Sequence, residues 1–327
     1  MSSIPTSFFV IYDKFTFGGN SMDIKNRNIH LVDFSYFLHR GYHSMHNMKV
    51  EVNGFMKPVG HILGVLNYIK KIKDYDDKAI VFLALDDLPV HKIQLLESVD
   101  VAYKDGRAKN EYNIRQDTNL ICDLAYYIPD VYSVFSEGEE ADDIIASLTY
   151  KYKKDNRIFI HSSDKDLVQL LDRRCYIITE WDNGTPIKTT LDSYKTSEKY
   201  EKAFLNCNPY KLTYFRAIIG DASDNLKGLY RFPRKLAKLI AENTSDISDF
   251  KNATNKYARL STPTQMKYLN LLEESYDKVA IYYEVMKLKT DLPLEISRTL
   301  KPIKKTLDEL KLKSYINYLK IHNIDII

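Results

Sequence analysis

Residues 157–166 read RIFIHSSDKD, a mostly apolar run followed by two closely spaced carboxylates, Asp164 and Asp166. A short apolar run of this kind indicates a strand buried on both faces, as in a parallel sheet. Similar strands, separated by helical spacing, are predicted at 28–32, 79–85, 131–135 and 175–178. The alternation predicts an α/β fold with a parallel-dominated central sheet flanked by helices.

The 327 residues fit two domains by length. Residues 1–27 show no periodicity and are interpreted as an N-terminal appendage. Residues 28–200 carry the predicted strands, and the strand signal fades after 184–186. Residues 201–327 are predicted to form a C-terminal helical domain, because their apolar residues recur at helical spacing.

Composition excludes several classes of protein. Lys+Arg 47 against Asp+Glu 44 gives a net charge of +3, so net charge alone indicates no nucleic-acid partner. Three widely separated cysteines exclude a disulfide framework and a zinc finger. No apolar run reaches the roughly 20 residues of a membrane helix, and no signal peptide is evident. We therefore expect a soluble, cytoplasmic protein without a membrane partner.

Carboxylates follow four successive predicted strands, where the ends of parallel strands form a ligand crevice. A further pair lies at the start of the helical region. The full set is Asp33, Asp86, Glu140, Asp142, Asp143, Asp164, Asp166, Asp221 and Asp224.

Any one of these carboxylates could be a helix N-cap or a turn residue. Their occurrence at four successive strand ends instead favours a metal site, since crowded carboxylates repel one another unless cations neutralise them. Hard oxygen ligands without His or Cys suit Mg²⁺ or Mn²⁺. So many acids exceed the needs of one ion and predict two, clamping a phosphodiester.

Five blocks in order resemble the 5′-nuclease superfamily of flap endonucleases and 5′→3′ exonucleases. In motif detail they are nearest to the bacteriophage members of the T-even RNase H type. The blocks are residues 31–35, 85–107, 137–143, 162–170 and 220–225. The resemblance implies a PIN-like nuclease core. It also implies phosphodiester hydrolysis by a metal-activated water.

The resemblance assigns the carboxylates to two ions. Asp33, Asp86, Glu140 and Asp142 would hold the first. Asp164, Asp166 and Asp221 would hold the second, with Asp143 and Asp224 either binding it or lying just behind.

Basic residues have implied roles as well. Lys104 and Arg107 match a pair that steadies phosphate charge at the base of a helical arch, here near 104–125; the alternative is a solvated loop. Lys109 and Arg115 would line that arch and contact single-stranded nucleic acid.

Two residues of the first predicted helix would also contact the nucleic acid in this interpretation; the alternative is a purely structural role. Arg40 would contact a phosphate, and Tyr36 would stack on a terminal base.

Residues 228–237 stand where the family has a helix-hairpin-helix-like motif that contacts duplex phosphate. Arg231 and Pro233 replace expected glycines, which places a monovalent-cation site there in question. The cations Arg231, Arg234, Lys235 and Lys238 would contact phosphate directly, or form a solvated helix face.

The hypothesis is a Mg²⁺-dependent, structure-selective 5′ nuclease, with Mn²⁺ as a substitute ion. Its expected partners are DNA and RNA–DNA duplexes with 5′ ends or flaps, as in primer removal. A monomer is expected, and by resemblance a single-strand-binding protein and a sliding clamp are candidate partners. Two alternatives stay open: a PIN-type single-strand RNase, and a non-catalytic DNA-binding replication scaffold that keeps the fold.

Overall fold

The structure is a computed structural model that describes residues 16–17, 20–21, 24–52, 55–104 and 113–297. Two predicted site residues, Arg107 and Lys109, lie outside these residues. So do positions 105–112 of the predicted arch, most of the appendage and the tail after 297. No helix in the described residues is long and apolar enough to cross a membrane.

Strands and helices alternate through the first two thirds of the chain. The strands are β1 (Thr16–Phe17), β2 (Asn20–Ser21), β3 (Asn28–Asp33), β4 (Lys49–Val52), β5 (Phe55–Pro58), β6 (Ile80–Ala84), β7 (Val131–Phe135), β8 (Arg157–His161), β9 (Cys175–Asp182), β10 (Thr185–Thr189), β11 (Gly220–Asp221), β12 (Leu226–Lys227) and β13 (Glu295–Ser297).

Helices make up most of the regular structure after residue 190. They are α1 (Phe34–Ser44), α2 (Gly60–Tyr75), α3 (Val90–Glu97), α4 (Thr118–Ala125), α5 (Ala141–Tyr152), α6 (Leu191–Thr196), α7 (Glu198–Phe204), α8 (Leu212–Ile219), α9 (Arg234–Glu242), α10 (Ala253–Lys256), α11 (Met266–Glu274) and α12 (Tyr276–Met286). Short 3₁₀ segments include Ile114–Asp117, Asp166–Leu170 and Ala222–Asp224.

A seven-stranded sheet has the order β10-β9-β8-β3-β6-β7-β13. Its five inner strands run parallel, and β10 and β13 pair antiparallel at the two edges. The predicted α/β fold is confirmed, and each of the five predicted strands is present. The pattern does not predict β10 and β13, because both are short edge strands whose residues are largely exposed or only half-buried.

Side chains on the inner strands alternate between two apolar layers. On β3, Ile29 and Leu31 face one layer and Val32 faces the other. The second layer is completed by α1, α2 and α4, and the first by α5 together with helices of the C-terminal half. Burial on both faces explains why the strands read as apolar runs.

The C-terminal helices share a core with the sheet. Phe215 of α8, Leu236 of α9 and Tyr282 of α12 belong to the same buried cluster as Ile144 of α5. Strand β13 also returns to pair with β7. The predicted division at residue 200 marks where helices begin to dominate, and it stays a prediction.

The strand order reverses beside β3. The chain proceeds from β3 outward through β6 to β7, then returns to place β8 on the other side of β3. The carboxyl ends of strands at such a reversal form the usual ligand crevice of an open α/β sheet. Asp33 ends β3, so it lies at this point.

Candidate active site

An acidic pocket lies at the carboxyl end of the sheet, where it meets α12 and the β11–β12 loop. Its polar lining residues are Lys92, Tyr103, Lys104, Glu140, Asp142, Asp164, Asp166, Asp221, Ser223 and Asp224. Six of the nine predicted carboxylates are among them. The pocket is thus built from segments far apart in sequence, as the strand-end argument predicts.

Asp33 and Asp86 lie behind the pocket at strand ends. One Asp33 oxygen accepts the N–H of Tyr36 at 3.0 Å and caps α1. The other accepts the Ser162 hydroxyl at 2.7 Å. Asp86 accepts the N–H of Ala141 at 2.8 Å, which ties the end of β6 to α5. Asp33 is therefore a helix cap as well as a member of the carboxylate group.

Two carboxyls in this group keep their protons to higher pH than usual. Burial, with a smaller contribution from the negative charge of Asp86, raises the pKa of Asp33 to about 7. Burial and the charges of Asp164, Asp33 and Asp86 raise the pKa of Asp142 well above its usual value. A bound cation would lower these raised pKa values, because it would offset the repulsion among the crowded carboxylates.

The pKa of Glu140 is lowered instead of raised. Its Oε2 accepts from Lys92 Nζ at 2.9 Å and from the Tyr103 hydroxyl at 2.8 Å, and its Oε1 accepts from Lys104 Nζ at 2.5 Å. Burial alone would raise the pKa of Glu140, but the two lysines outweigh it and hold the pKa at about 2. Glu140 is ionised and already neutralised by protein cations.

Asp143 points away from the pocket. It is fully buried, pairs with Lys92 Nζ at 2.6 Å and accepts the backbone N–H of Lys289 at 2.9 Å. Its predicted place in or just behind the second ion site stays a prediction. In this structure its contacts are with Lys92 and the chain that follows α12.

Three carboxylates lie close enough to hold one ion. Asp166, Asp221 and Asp224 each offer an oxygen, and these atoms lie within 4.8 Å of one another. Arg216 of α8, only 4% exposed, pairs with both Asp166 and Asp221. Burial would raise the pKa of Asp221, but Arg216 and hydrogen bonds from Ser223 lower it.

Asp164 lies beside this group on the exposed side of the pocket. Its Oδ1 accepts the N–H of Asp166 at 2.8 Å, so the two residues form one local turn. The turn directs both carboxylates toward the pocket.

The loop that carries Asp221 and Asp224 is closed by a backbone contact. β11 pairs antiparallel with β12, and Gly220 has φ +79°. A Cβ on Gly228 would lie 2.1 Å from the carbonyl oxygen of Ile219 and 2.6 Å from the nitrogen of Gly220. Only glycine fits there, so the sequence fixes this loop tightly.

The predicted basic residues lie at different places relative to the pocket. Lys104 lines the pocket, with Nζ 4.0 Å from an Asp224 oxygen, and its backbone is left-handed at φ +53°. Arg115 is exposed on the 3₁₀ segment Ile114–Asp117. On α1, half-buried Tyr36 packs edge-on to Phe37, and exposed Arg40 lies 5.9 Å over the Phe37 ring.

In the hairpin region, Arg231 adopts a glycine-like backbone where the family pattern has a glycine. Arg231 has φ +52°, the left-handed backbone that glycine adopts most readily, and it lies over Tyr230. Arg234 donates to the carbonyl of Ala203. Lys238 donates to the carbonyl of Leu205 at 2.8 Å, and Lys235 is exposed. Arg234 and Lys238 therefore tie α9 to the end of α7.

The sequence patterns missed four residues that organise the site. Tyr103 and Ser162 each contact one predicted carboxylate, and Lys92 and Arg216 each contact two. Lys92 and Arg216 lie on helices whose apolar spacing predicts burial. A cation on a buried helix face near many acids is the one signal that could have identified them.

Comparison with known proteins agrees with this geometry. Residues 28–202 match the family model described as "5′-3′ exonuclease, N-terminal resolvase-like domain". The 5′-3′ exonuclease of Mycoplasmopsis pulmonis is 27% identical over 297 residues, covering 90% of this chain and 91% of that protein.

Two solved structures share the fold. The T5 D15 protein co-crystallised with metal ions is 18% identical, with TM-score 0.55, covering 82% of this chain and 90% of that one. The bacteriophage T5 D15 flap endonuclease in a pseudo-enzyme–product complex with DNA and metal ions is 17% identical. Its TM-score is 0.53, covering 82% of this chain and 90% of that one.

Proposed function

Because the chain belongs to the 5′-3′ exonuclease family and is a nuclease, we propose that it is a divalent-metal-dependent, structure-selective 5′ nuclease. It hydrolyses phosphodiesters from a 5′ end or at a 5′ flap, including RNA primers on DNA. The observation that carries the proposal is the acidic pocket, in which six carboxylates from distant segments meet beside Lys104.

The donor set fits Mg²⁺ or Mn²⁺. The pocket offers carboxylate oxygens and no His or Cys, the ligand chemistry of hard cations. Asp33, Asp86, Glu140 and Asp142 would hold one ion, and Asp164, Asp166, Asp221 and Asp224 a second. When bound, two ions supply an activated water and stabilise charge on the phosphate. The cluster of Asp166, Asp221 and Asp224 supports the second ion, and the metal ions co-crystallised with the T5 D15 protein support metal binding in general.

The chain's own residues would orient the substrate. Lys104 Nζ lies between Glu140 and Asp224, where it would meet the charge that builds on a phosphate oxygen. Arg107 is proposed as its partner, and Lys109 and Arg115 as contacts for the 5′ strand. Tyr36 would stack on a terminal base and Arg40 would contact a phosphate.

Duplex binding is proposed for α9 and the turn before it. Arg231, Arg234, Lys235 and Lys238 would contact backbone phosphates, which gives affinity without sequence specificity. The T5 complex with DNA supports this proposal. The protein would act in the cytoplasm as a monomer, in a host cell if it is viral, with a single-strand-binding protein and a sliding clamp as candidate partners.

The test compares cleavage of a 5′-flapped duplex, an RNA-primed duplex and single-stranded RNA, each labelled at both ends, with Mg²⁺ and with EDTA. The variant Asp164→Asn is matched by Asp192→Asn, a remote carboxylate whose side chain is 98% exposed. Short 5′ products that need Mg²⁺, retained in Asp192→Asn and lost in Asp164→Asn, are the expected result.

Other outcomes separate the alternatives. Duplex binding without cleavage in Mg²⁺ or Mn²⁺ would support the non-catalytic scaffold. Cleavage of single-stranded RNA alone would support the PIN-type RNase.

A further inference from the structure

Arg216 occupies an unusual position beside the acidic pocket. It lies on α8, is almost completely buried, and its guanidinium pairs with Asp166 and Asp221. These are two of the three carboxylates that lie within 4.8 Å of one another. The ring of Phe204 lies 5.8 Å from the guanidinium carbon.

A guanidinium there carries a permanent charge. Arginine stays protonated at any pH at which the protein is folded, and its planar fork can hold two carboxylates at once. An entering divalent ion would bind two of the carboxylates that Arg216 already holds. A fixed cation next to an ion site repels the ion, and the repulsion is large because the group is withdrawn from water.

We propose that Arg216 is a built-in counter-cation for the Asp166–Asp221 pair, a positioning residue that keeps these carboxylates together before a divalent ion arrives and weakens the binding of that ion. This inference rests on the proposed function, because it concerns the second ion of that site. The ion held by Asp166, Asp221 and Asp224 then binds more weakly than the same carboxylates would hold it without Arg216.

The test measures Mn²⁺ and Mg²⁺ binding by titration calorimetry on the full-length protein without nucleic acid. Arg216→Gln removes the charge. Lys165→Gln is the matched control, because Lys165 is exposed and influences Asp221 without contacting it. Removing Arg216 should tighten binding of the ion held by Asp166, Asp221 and Asp224 by about tenfold or more. Lys165→Gln should change the affinity for this ion by less than about threefold, since water screens an exposed charge.

Thermal unfolding gives a second readout. Without divalent ions, Arg216→Gln should unfold at a lower temperature than the wild type, because Asp166 and Asp221 then repel each other. Added Mn²⁺ should raise its unfolding temperature by more than it raises that of the wild type.

Arg216→Lys covers the case in which the glutamine variant fails to fold. Lysine keeps the charge, so the ion held by Asp166, Asp221 and Asp224 should bind to this variant within about threefold of the wild type. Ion binding by Arg216→Gln that is unchanged or weaker, or ion binding that is lost in Arg216→Lys, would overturn the inference and leave Arg216 as a purely structural tie. A wild-type protein that binds no divalent ion would instead overturn the proposed function.

Discussion

At the scale of single residues, the pocket is organised by buried cations as much as by acids. Lys92 of α3 lies between Glu140 and Asp143, with Nζ at 2.9 and 2.6 Å from their oxygens. These opposite charges raise the pKa of Lys92 although burial opposes it. Asp143, fully buried, depends on Lys92 and one backbone N–H. Lys92 therefore makes both carboxylates tolerable in the interior.

Replacing Lys92 by Met should destabilise the protein strongly. The variant would leave Asp143 buried and Glu140 without one of its cations, which costs about 3–5 kcal/mol in the free energy of unfolding. Denaturant unfolding measures the change. The control is Lys202→Met, which breaks the exposed pair with Glu198 and should cost less than about 1 kcal/mol. Equal effects of the two substitutions would argue against a supporting role for Lys92.

At the scale of elements, the pocket depends on how the β11–β12 loop closes. Gly220 and Gly228 bring two backbone segments into direct contact, and the turn between them carries Asp221 and Asp224. No flexible side chain lies in the way, so a Cβ at Gly228 would displace backbone. The position of both carboxylates follows from this contact.

Gly228→Ala should therefore cost more than a glycine replacement elsewhere. We expect a loss of about 3 kcal/mol or more, because the new Cβ meets backbone atoms, together with weaker divalent-ion binding. Gly184→Ala is the control, since Gly184 has φ +79° with open space around it and should cost about 1 kcal/mol. Thermal unfolding and Mn²⁺ titration measure both effects. A smaller loss at Gly228 than at Gly184 would contradict the close contact.

A second feature at the scale of elements is a buried hydrogen-bond network between the sheet and α2. Trp181 of β9 donates to the Tyr68 hydroxyl at 2.9 Å, and that hydroxyl lies 2.9 Å from Nδ1 of His161. Nε2 of His161 lies 2.8 Å from Nδ1 of His30. Donor and acceptor roles are consistent when both histidines are neutral. The network ties β3, β8, β9 and α2 together.

Because this network contains two buried histidines, we expect the protein to lose stability in acid. Burial, then Lys73 and Lys188, lower the pKa of His30 to about 3, and burial lowers that of His161 well below its usual value. Below about pH 6.5 the unfolded chain binds protons that the folded chain excludes, so the free energy of unfolding falls as pH falls.

The variant His30→Gln isolates one histidine. Its unfolding free energy should depend on pH less steeply than that of the wild type, by about 1.4 kcal/mol per pH unit between about pH 4.5 and 6. Urea unfolding across this range measures both slopes, and groups common to both proteins cancel in the difference. Identical slopes would refute the prediction.

At the scale of the whole molecule, the reversal of strand order creates the site. β3 lies between β6 and β8, so Asp33, Asp86 and Asp164 come from neighbouring strand ends although they are distant in sequence. Helices of the C-terminal half complete the pocket from the other side, because α8 and α12 share the core of the sheet. The pocket therefore exists only when both halves of the chain are folded together.

Divalent-ion affinity should rise with pH. The pKa of Asp33 is raised to about 7 and that of Asp142 is also raised. An entering ion must displace protons from them. Affinity for Mn²⁺ should increase as pH rises through about 7, where Asp33 loses its proton. Calorimetry in two buffers of different ionisation enthalpy would detect proton release near pH 7. Asp33→Asn should release fewer protons, and equal release by both proteins would contradict the assignment.

Much of the fold and part of the site were predictable from the sequence. Apolar runs buried on both faces mark the inner strands, and carboxylates placed after them mark the edge at which the site forms. The edge strands β10 and β13 carry no comparable signal, because their exposure leaves no apolar pattern. Six of the nine predicted acids line the pocket, because the elements beside them end at the same edge of the sheet.

The sequence by itself determined the parallel sheet and the acidic composition of its carboxyl edge, since both depend on local periodicity and on strand ends. Only the tertiary structure decided which acids face the pocket and which, like Asp143, are neutralised behind it. It also decided that Lys92 and Arg216 supply the cations. The physical reason is that charge pairing acts over a few ångströms in space, and no local sequence pattern records which buried side chains meet.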